Sequence, residues 1–326
     1  MMQKLLYFEI KSDRIDIIFT ESVGGAVNGF RRKILMKKNY LYAISTILIW
    51  ATMAASVKKM LFDIPNLEAL SISSFLGFLF LLIWNIKTGM IKEIKSYTVK
   101  DYGIISGLGI IGLFLYSALY YYGLAQLSSQ EACILNYLWP IMLVIFSCII
   151  LKEKMTPVKL LAMLCSFVGI IILSSGGGNL ADGNKIMGII SCFVAAACYG
   201  LFSVLNKKAD YDQRLSMMVI WLVVGVCALV MGLLTETWVP IRGVQWIGMI
   251  WLGVVIDAVA YLLWALALKG SENTAVIANM AYLTPFLSLI ISAIFLKEKI
   301  EARAVIALVF IVGGILLQNL FNRKSE

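Results

Sequence analysis

Apolar runs of about 20 residues recur along nearly the whole chain, separated by short polar segments. A helix of that length crosses the hydrocarbon core of a bilayer, which is about 30 Å thick. The pattern therefore predicts an all-α polytopic membrane protein with ten transmembrane helices. Their predicted bounds are 39–60, 66–86, 102–124, 130–151, 156–174, 185–206, 215–234, 244–267, 273–296 and 302–321.

The second half of this apolar region repeats the first. A Tyr-Leu-x-Pro motif at residue 137 recurs at residue 282, and Leu-Lys-Glu-Lys at residue 151 recurs at residue 296, both displaced by 145 residues. A third match sets Lys58-Lys59 against Lys207-Lys208, displaced by 149. Because each copy would hold five spans, an odd number, the two five-helix repeats are predicted to lie inverted in the bilayer, as in many secondary transporters.

The repeat and a glycine-rich stretch after Ser174 divide the chain. The first 35 residues mix charges with short apolar patches, which is compatible with a cytoplasmic tail or an amphipathic segment on the membrane. Met36 is an alternative start, because Met36-Lys37-Lys38 directly before a span is typical of inner-membrane proteins. The predicted units are an N-terminal extension 1–35, a first repeat 36–175, a linker 176–184, a second repeat 185–322 and a tail 323–326.

Composition agrees with the membrane assignment. The chain is 61% hydrophobic and 14% charged, whereas soluble domains carry about 25% charged residues. Its net charge of +9 is dispersed among short loops, so it favours a topology signal over nucleic-acid binding. With a cytoplasmic N-terminus, 18 Lys and Arg residues lie on the inner side and 7 on the outer side, which predicts that both termini lie on the cytoplasmic side of the membrane. The loop between spans nine and ten carries basic residues on the predicted outer side, against the tendency of Lys and Arg to lie inside. This exception follows from the inverted repeats, because the two Leu-Lys-Glu-Lys corners then face opposite sides of the membrane.

Several kinds of chemistry are excluded. The chain has no histidine, which removes histidine-based triads, zinc proteases and histidine proton relays. Its six cysteines all lie inside apolar runs without metal-ligand or disulfide spacing, so they are predicted to be packing residues. We therefore expect no metal, no cofactor and no enzymatic activity.

Ionisable residues inside spans are costly and usually face a cavity or a partner. Asp257 lies in the middle of the eighth span, where a carboxylate could bind a substrate ammonium or carry a proton. The alternative is a protonated side chain that is hydrogen-bonded to a neighbouring helix. Glu131, at the start of the fourth span, is a second candidate for proton coupling, although acids at helix N-termini are also stabilised by the helix dipole.

Polar and aromatic residues cluster around two prolines. Pro140 follows Asn136, Tyr137 and Trp139, and its repeat partner is Pro285. A proline inside a helix frees a carbonyl and bends the axis, so both are predicted hinges around a central site. The alternative is that they are only packing kinks. The predicted substrate-binding residues are Trp50, Asn136, Tyr137, Tyr199, Asn206, Tyr261 and Tyr282.

With Trp50 in the first span and proline-kinked fourth and ninth spans before Leu-Lys-Glu-Lys, residues 36–322 resemble the EamA-type transporters of the drug/metabolite transporter superfamily. Asn136 to Pro140, Asn206-Lys207 and Thr284-Pro285 look most like the aromatic amino-acid exporter branch. The resemblance implies a bacterial inner-membrane exporter with a central substrate cavity. Asp257 departs from the family pattern, where a small or hydroxyl residue is usual, and this leaves substrate and coupling open.

The sequence therefore predicts a secondary active exporter of small metabolites, with aromatic or similar amino acids favoured, that works by alternating access. The alternatives are an importer of a related sugar, nucleoside or amino acid, a membrane-embedded enzyme, and a passive channel. The expected partners are a small-molecule substrate and the lipid bilayer, and a homodimer is compatible with the sequence.

Overall fold

A computed structural model of the chain defines most of the helices. The residues that it describes are 9–11, 14–16, 24–61, 63–150, 152, 157, 160–161, 164–165, 168–169, 172, 183–209, 211–269, 280–281 and 283–322. All structural statements below concern these residues.

The N-terminal region contains two short strands and the start of the first helix. Strand β1 (Glu9–Lys11) pairs antiparallel with β2 (Arg14–Asp16). Helix α1 (Gly24–Ala51) begins well before residue 39, the predicted start of the first span. The candidate membrane span in this region, Lys38–Lys59, agrees with the predicted first span, and the helix continues on its N-terminal side through charged residues.

The first repeat contains helices that closely follow the predicted spans. A turn at Thr52, whose hydroxyl donates to the Ile49 carbonyl at 2.7 Å, separates α1 from α2. The third span contains a π-helical stretch, the first π segment, and a 3₁₀ turn (Met90–Ser96) precedes it. The remaining elements are α2 (Met53–Leu61), α3 (Asn66–Lys87), α4 (Val99–Leu108), the first π segment (Gly109–Phe114), α5 (Leu115–Gln126), α6 (Ser129–Asn136) and α7 (Trp139–Ile150).

The second repeat has the same order of elements where it is described, including a π-helical stretch in its third helix. Its elements are α8 (Gly183–Lys208), α9 (Gln213–Thr235), α10 (Gly243–Ile250), the second π segment (Trp251–Ala260), α11 (Tyr261–Lys269), α12 (Leu283–Phe295) and α13 (Ala302–Asn322).

Seven helical stretches among the described residues are long and apolar enough to cross a membrane, and two shorter apolar helices, Leu283–Phe295 and Ala302–Gly314, follow them. The predicted fifth span, 156–174, lies mostly outside the described residues, as does the beginning of the ninth. The predicted multi-pass helical membrane protein is confirmed. The seven long stretches are Lys38–Lys59, Asn66–Lys87, Val99–Gln126, Ser129–Ile150, Asn184–Asn206, Gln213–Thr235 and Gly243–Ala267.

Helices of the two repeats pack mainly against each other. Helix α3 of the first repeat lies along α9 of the second. Helices α5 and α7 pack against α8, and in the matching arrangement α11 and α12 pack against α1. The first π segment contacts α9, and the second π segment contacts α3. The core of the protein is therefore the interface between the repeats.

The closest approach between the repeats depends on two glycines. A Cβ atom on Gly77 of α3 would lie 2.8 Å from the carbonyl oxygen of Gly253 in the second π segment. A Cβ atom on Gly253 would collide with the carbonyl oxygen of Ser73. Small residues of this kind allow membrane helices to pack backbone to backbone, and here they fix α3 against the second π segment.

The repeated Leu-Lys-Glu-Lys corner has the same backbone conformation in both copies. Lys152 and Lys297 are equivalent by the 145-residue displacement, and each has a φ of 56°. This left-handed conformation is uncommon for residues other than glycine. Its recurrence at equivalent positions shows that the sequence repeat is also a repeat of local structure.

Candidate functional site

A small cavity lies between the repeats, and most of the side chains that line it are aromatic. Its walls come from α1 and α2, α5, the break between α6 and α7, α8 and α11. We call it the aromatic cavity. Its lining residues are Trp50, Met53, Ala54, Tyr116, Tyr120, Cys133, Asn136, Tyr137, Trp139, Tyr199 and Tyr261.

The rings of the aromatic cavity form a connected set of contacts. Tyr199 stands at the centre, with ring centroids 5.0 Å from Tyr116, 5.1 Å from Trp139 and 6.2 Å from Tyr261. Trp50 lies 5.3 Å from Tyr261, edge to face. Such pairs stabilise one another beyond their buried area. The cavity wall is therefore a preformed aromatic surface that joins both repeats.

The helix break before Pro140 brings two polar groups to this surface. Helix α6 ends at Asn136 and α7 begins at Trp139. Pro140 has no N–H to donate to the carbonyl of Asn136, so the regular helix cannot continue through this point. The N–H of Tyr137 makes the last regular helical bond, to the Cys133 carbonyl at 3.1 Å, and the N–H of Leu138 donates only three residues back, to the Leu135 carbonyl at 3.1 Å. The break places the side chains of Asn136 and Tyr137 at the cavity wall.

Two hydrogen-bonding atoms of the cavity are left unpaired. The Asn136 amide nitrogen donates to the Tyr116 hydroxyl at 3.1 Å. Among the residues that the structure describes, neither Oδ1 of Asn136 nor Nε1 of Trp50 has a hydrogen-bond partner. Buried polar groups are normally satisfied. The cavity therefore offers a bound molecule one free acceptor and one free donor.

The aromatic cavity is electrically neutral and nearly closed. Its lining contains no Asp, Glu, Lys or Arg side chain within the described part of the chain. Its volume is about 30 Å³, which accommodates one or two water molecules. This volume is smaller than that of an amino acid.

Of the other two predicted binding residues, only Asn206 is described by the structure. Asn206, near the end of α8, donates from Nδ2 to Oε1 of Gln213 at 3.2 Å and does not line the cavity. Tyr282 lies outside the described residues. Pro285 is buried in the first turn of α12. Of the seven predicted binding residues, the structure thus brings Trp50, Asn136, Tyr137, Tyr199 and Tyr261 to one place.

Asp257 lies behind the cavity wall. It is 2% exposed, in the second π segment, and its Cβ faces the close contact with Gly77 of α3. Ser73 and Tyr121 lie near its carboxyl group. Its Oδ2 has no hydrogen-bond partner among the described residues. Asp257 therefore lies at the contact between the repeats and does not line the aromatic cavity.

Glu131 belongs to a separate polar cluster at one end of the helices. Its Oε1 lies 3.4 Å from Nζ of Lys185 and 3.3 Å from a guanidinium nitrogen of Arg303. Its Oε2 accepts from the N–H and hydroxyl of Ser128, which forms a capping box at the start of α6. We call the set Lys58, Glu131, Lys185, Glu298 and Arg303 the corner latch.

Glu298, in the second Leu-Lys-Glu-Lys corner, forms the other half of the corner latch. Its carboxylate accepts from the N–H of Ser129 at 3.1 Å and from the Ser129 hydroxyl at 2.6 Å. Lys58 lies 3.9 Å from the same carboxylate and also donates to the Leu127 carbonyl. Gln130 donates to the Lys299 carbonyl at 2.9 Å. The corner of the second repeat is thereby bonded to the first turn of α6.

A neighbouring carboxyl group at the surface is held by the same arginine. Glu301 accepts a hydrogen bond from Arg303, and this bond lowers the pKa of Glu301 below its ordinary value. Half of the Glu301 side chain is exposed to solvent, so the contribution of this pair to stability is small.

Sequence reasoning did not include Tyr116, Tyr120, Trp139, Met53 or Ala54 in the site, although all five line the aromatic cavity. A signal was present for the two tyrosines, because a spacing of four residues places them on one helix face. Their rings stack, with centroids 5.9 Å apart. For Met53 and Ala54, nothing in their residue type distinguishes a cavity wall from ordinary packing.

The composition of the aromatic cavity suits the binding of a small molecule. Within the described part of the chain, no group of three or more His, Cys, Asp or Glu side chains could hold a metal ion. The cavity instead provides ring faces, one free donor and one free acceptor, which is the usual composition of a site for a small, partly apolar molecule.

Curated relatives cover nearly the whole chain. An uncharacterized transporter of Clostridium kluyveri is 26% identical over 89% of this chain and 96% of its own length. The uncharacterized transporter YoaV of Bacillus subtilis is 26% identical over 89% of this chain and all of its own length. The aromatic amino acid exporter YddG of Ancylobacter novellus is 22% identical over 87% of this chain and 98% of its own length.

A solved crystal structure shares the fold, with a TM-score of 0.68, 21% identity and coverage of 89% of this chain and 99% of the other. The model of the EamA-like transporter family matches the chain twice, at residues 37–175 and 186–320. These matches confirm the resemblance to EamA-type transporters of the drug/metabolite transporter superfamily. The chain belongs to the EamA-like transporter family.

Proposed function

We propose that this transporter is a secondary active exporter of amino acids with aromatic or similar side chains, located in the bacterial inner membrane with both termini in the cytoplasm. The observation that carries the proposal is the aromatic cavity, in which Trp50 and Asn136 present a free donor and a free acceptor. The relative named as an aromatic amino acid exporter supports the same substrate class.

The chemistry of the cavity fits a zwitterion. The carboxylate of an amino acid accepts hydrogen bonds, and it can pair with Nε1–H of Trp50. Its ammonium group donates, and it can pair with Oδ1 of Asn136. Burying a net charge without a charged partner is costly, so a neutral lining disfavours phosphorylated or strongly anionic metabolites. Ring faces from Tyr199 and Tyr261 can stack on an aromatic side chain.

Alternating access is supported by the pairing of the repeats. Helix α1 packs on α11 and α12, and its counterpart α8 packs on α5 and α7. With five predicted spans in each copy, these equivalent contacts belong to repeats of opposite orientation. Movement of one repeat against the other would then open the aromatic cavity to one side as it closes on the opposite side. The predicted excess of inner Lys and Arg residues favours cytoplasmic termini.

Asp257 is the proposed proton carrier of this cycle. Its burial, its unpaired Oδ2 and its place beside Gly77 make its protonation sensitive to how α3 and the second π segment pack. Asp257→Asn should bind substrate normally but lose transport driven by a pH gradient. Full pH-driven transport by Asp257→Asn in liposomes would remove this role.

Counterflow in proteoliposomes tests the proposed function. Vesicles loaded with unlabelled phenylalanine should accumulate labelled phenylalanine transiently, with saturation, because an alternating carrier exchanges the two. A channel would equilibrate the label without the transient overshoot. If phenylalanine, tyrosine and tryptophan all gave no counterflow, the proposed substrate class would be wrong. Efflux from intact cells that express the protein would then separate export from import.

A further inference from the structure

A second, larger cavity lies at the end of the molecule where the corner latch joins the repeats. Its volume is about 140 Å³, similar to the roughly 150 Å³ of an apolar cavity that binds benzene. We call it the corner cavity. Helix α6 reaches both cavities, but none of the described residues lines both. The lining residues of the corner cavity are Ser128, Gln130, Glu131, Glu298, Lys299, Glu301, Arg303 and Ala304.

The wall of the corner cavity is polar and is held by contacts between the two repeats. Gln130 of α6 donates from Nε2 to the Lys299 carbonyl at 2.9 Å. Glu131, on the same helix, lies 3.3 Å from a guanidinium nitrogen of Arg303. The side chains of Glu131, Glu298 and Arg303 are only 13%, 18% and 19% exposed. The corner cavity is therefore a preformed space between charged groups that are fixed by their partners.

The charges around the corner cavity leave one cation in excess. Its three carboxylates, on Glu131, Glu298 and Glu301, each pair with a Lys or Arg side chain. Lys299 also lines the cavity and is exposed. Within the described part of the chain, its ammonium group pairs with no carboxylate. This unpaired positive charge favours a ligand that carries a carboxylate.

The corner cavity also has an unpaired hydrogen-bond acceptor. Gln130 is 4% exposed, and its Oε1 has no hydrogen-bond partner among the residues that the structure describes. Leaving a buried acceptor unpaired is costly, so such atoms are normally satisfied. Because Nε2 of the same amide is bonded to the Lys299 carbonyl, this acceptor belongs to the same contact as the unpaired ammonium group. The cavity thus offers an acceptor for a donor group and a cation for an anionic group.

We propose that the corner cavity is a binding site for a small zwitterion of the size of glycine or alanine, separate from the aromatic cavity. The carboxylate of the ligand pairs with the Lys299 ammonium group, and its own ammonium group donates to Oε1 of Gln130. Phenylalanine joins a benzene ring to an amino-acid backbone, so it exceeds a space that is close to benzene in size. The inference does not depend on the proposed transport function, because binding here requires no movement of the repeats.

Binding of labelled glycine tests the site, because glycine carries both charges and fits the volume. The purified full-length protein in lipid nanodiscs should bind glycine with saturation. Lys299→Gln should weaken binding by about tenfold, since a hydrogen bond to a charged group is lost. Lys297→Gln is the matched control, because Lys297 is exposed in the same corner but is not among the residues that line the cavity. Its affinity for glycine should stay within about twofold of wild type.

Ala304→Leu tests the same site without changing a charge. Ala304 is 3% exposed in α13 and lines the corner cavity, so a leucine side chain would occupy the space of the ligand. Glycine binding should fall by about tenfold or more. Val305→Leu, at a neighbouring position that is 40% exposed, should bind glycine as wild type does. If Ala304→Leu does not fold, Lys299→Gln decides the test.

Competition with half-ligands tests the zwitterion. Acetate carries only the anionic group and ethylammonium only the cationic group, so each should displace labelled glycine about tenfold less well than unlabelled glycine does. The proposal is overturned if glycine does not bind, if Lys299→Gln binds it as wild type does, or if acetate competes as well as glycine. Loss of glycine binding in Asn136→Leu would also overturn it, because the glycine would then occupy the aromatic cavity. A failure of phenylalanine counterflow would leave all these results in place.

Discussion

The aromatic cavity and the corner latch are neighbours on the same helices, and their chemistry is opposite. The cavity wall consists of rings and neutral polar groups, with free hydrogen-bonding atoms on Trp50 and Asn136. The latch consists of charged side chains, each paired with a partner in the other repeat. One region leaves polar groups unsatisfied, and the other satisfies them across the interface between the repeats.

Under the proposed transport function, this difference assigns recognition of the substrate to the aromatic cavity and contact between the repeats to the corner latch. An unsatisfied group in a dry pocket is costly until a ligand pairs with it, so it favours the bound state. In the latch, the side chains of Lys185, Glu131 and Arg303 are only 12%, 13% and 19% exposed, and their pairs join the two repeats. Substitutions in the cavity should therefore change substrate affinity, and substitutions in the latch should change the rate of exchange.

The largest effect is expected from Asn136→Leu. Without Oδ1, the substrate ammonium loses its buried acceptor, a loss of about 1–3 kcal/mol. Counterflow should show a KM for phenylalanine that is raised by roughly 5- to 150-fold, with the thermal stability of the protein retained. Tyr116→Phe is the control, because it removes the partner of Nδ2 and leaves Oδ1 in place. If both variants raised KM equally, Oδ1 would not be the recognition group.

A smaller loss of affinity is expected from Trp50→Phe. This variant keeps a ring in the cavity but removes the Nε1–H donor, which is worth about 0.5–1.5 kcal/mol. The KM for phenylalanine should rise by roughly 2- to 12-fold. Trp251→Phe serves as the comparison, since its Nε1–H donates to Thr52 at 3.0 Å outside the cavity, and it should leave KM unchanged. Equal effects of the two variants would contradict a role for the free donor.

In the corner latch, Glu131→Gln should change the rate of counterflow and leave the affinity for phenylalanine unchanged. The variant keeps an oxygen that can cap α6 but loses the charge that pairs with Lys185 and Arg303. Counterflow should slow by about threefold, because the protein returns less readily to the closed state, while KM stays within twofold. Glu93→Gln, at an exposed position, is the control. A tenfold rise in KM for Glu131→Gln would place Glu131 in recognition instead.

The smallest effect is expected from Glu301→Gln. Because the bond from Arg303 lowers the pKa of Glu301 in the folded protein, the stabilisation is present above the ordinary value of 4.5 and is lost as the pH falls through the lowered pKa. For a half-exposed pair it amounts to a few tenths of a kcal/mol at most. Thermal unfolding at pH 7 should barely differ between variant and wild type, and any difference should vanish in acid. A large difference would mean that Glu301 supports the latch directly.

Much of the fold could be predicted from the sequence, because length and hydropathy decide whether a helix crosses a membrane. The predicted second span, 66–86, ends within one residue of α3 (Asn66–Lys87). The start of α1 at Gly24 could not be predicted in this way, because the charged segment before residue 36 carries no hydropathy signal. The burial of Asp257 was expected, but its place behind the cavity wall depends on the Gly77–Gly253 contact, which is a property of packing.

The residues of the site were also only partly predictable, because their contacts depend on how the helices pack. Trp50 and Tyr199 are matched across the repeat, and both line the cavity. The latch was missed because Lys58, Glu131, Lys185 and Glu298 are far apart along the chain. The feature of the sequence that points to the corner latch is the group of basic residues in the loop between predicted spans nine and ten, on the predicted outer side. Arg303 of that loop pairs with Glu131.

Direct measurement of binding tests whether the aromatic cavity recognises the substrate and the corner latch does not. Wild-type protein, Asn136→Leu and Glu131→Gln would be purified in lipid nanodiscs and titrated with phenylalanine by isothermal calorimetry. We expect saturable binding to wild type, binding within twofold of wild type for Glu131→Gln, and binding weakened at least fivefold for Asn136→Leu. Wild-type affinity in Asn136→Leu would contradict the account, because the aromatic cavity would then not be the place where the substrate is recognised.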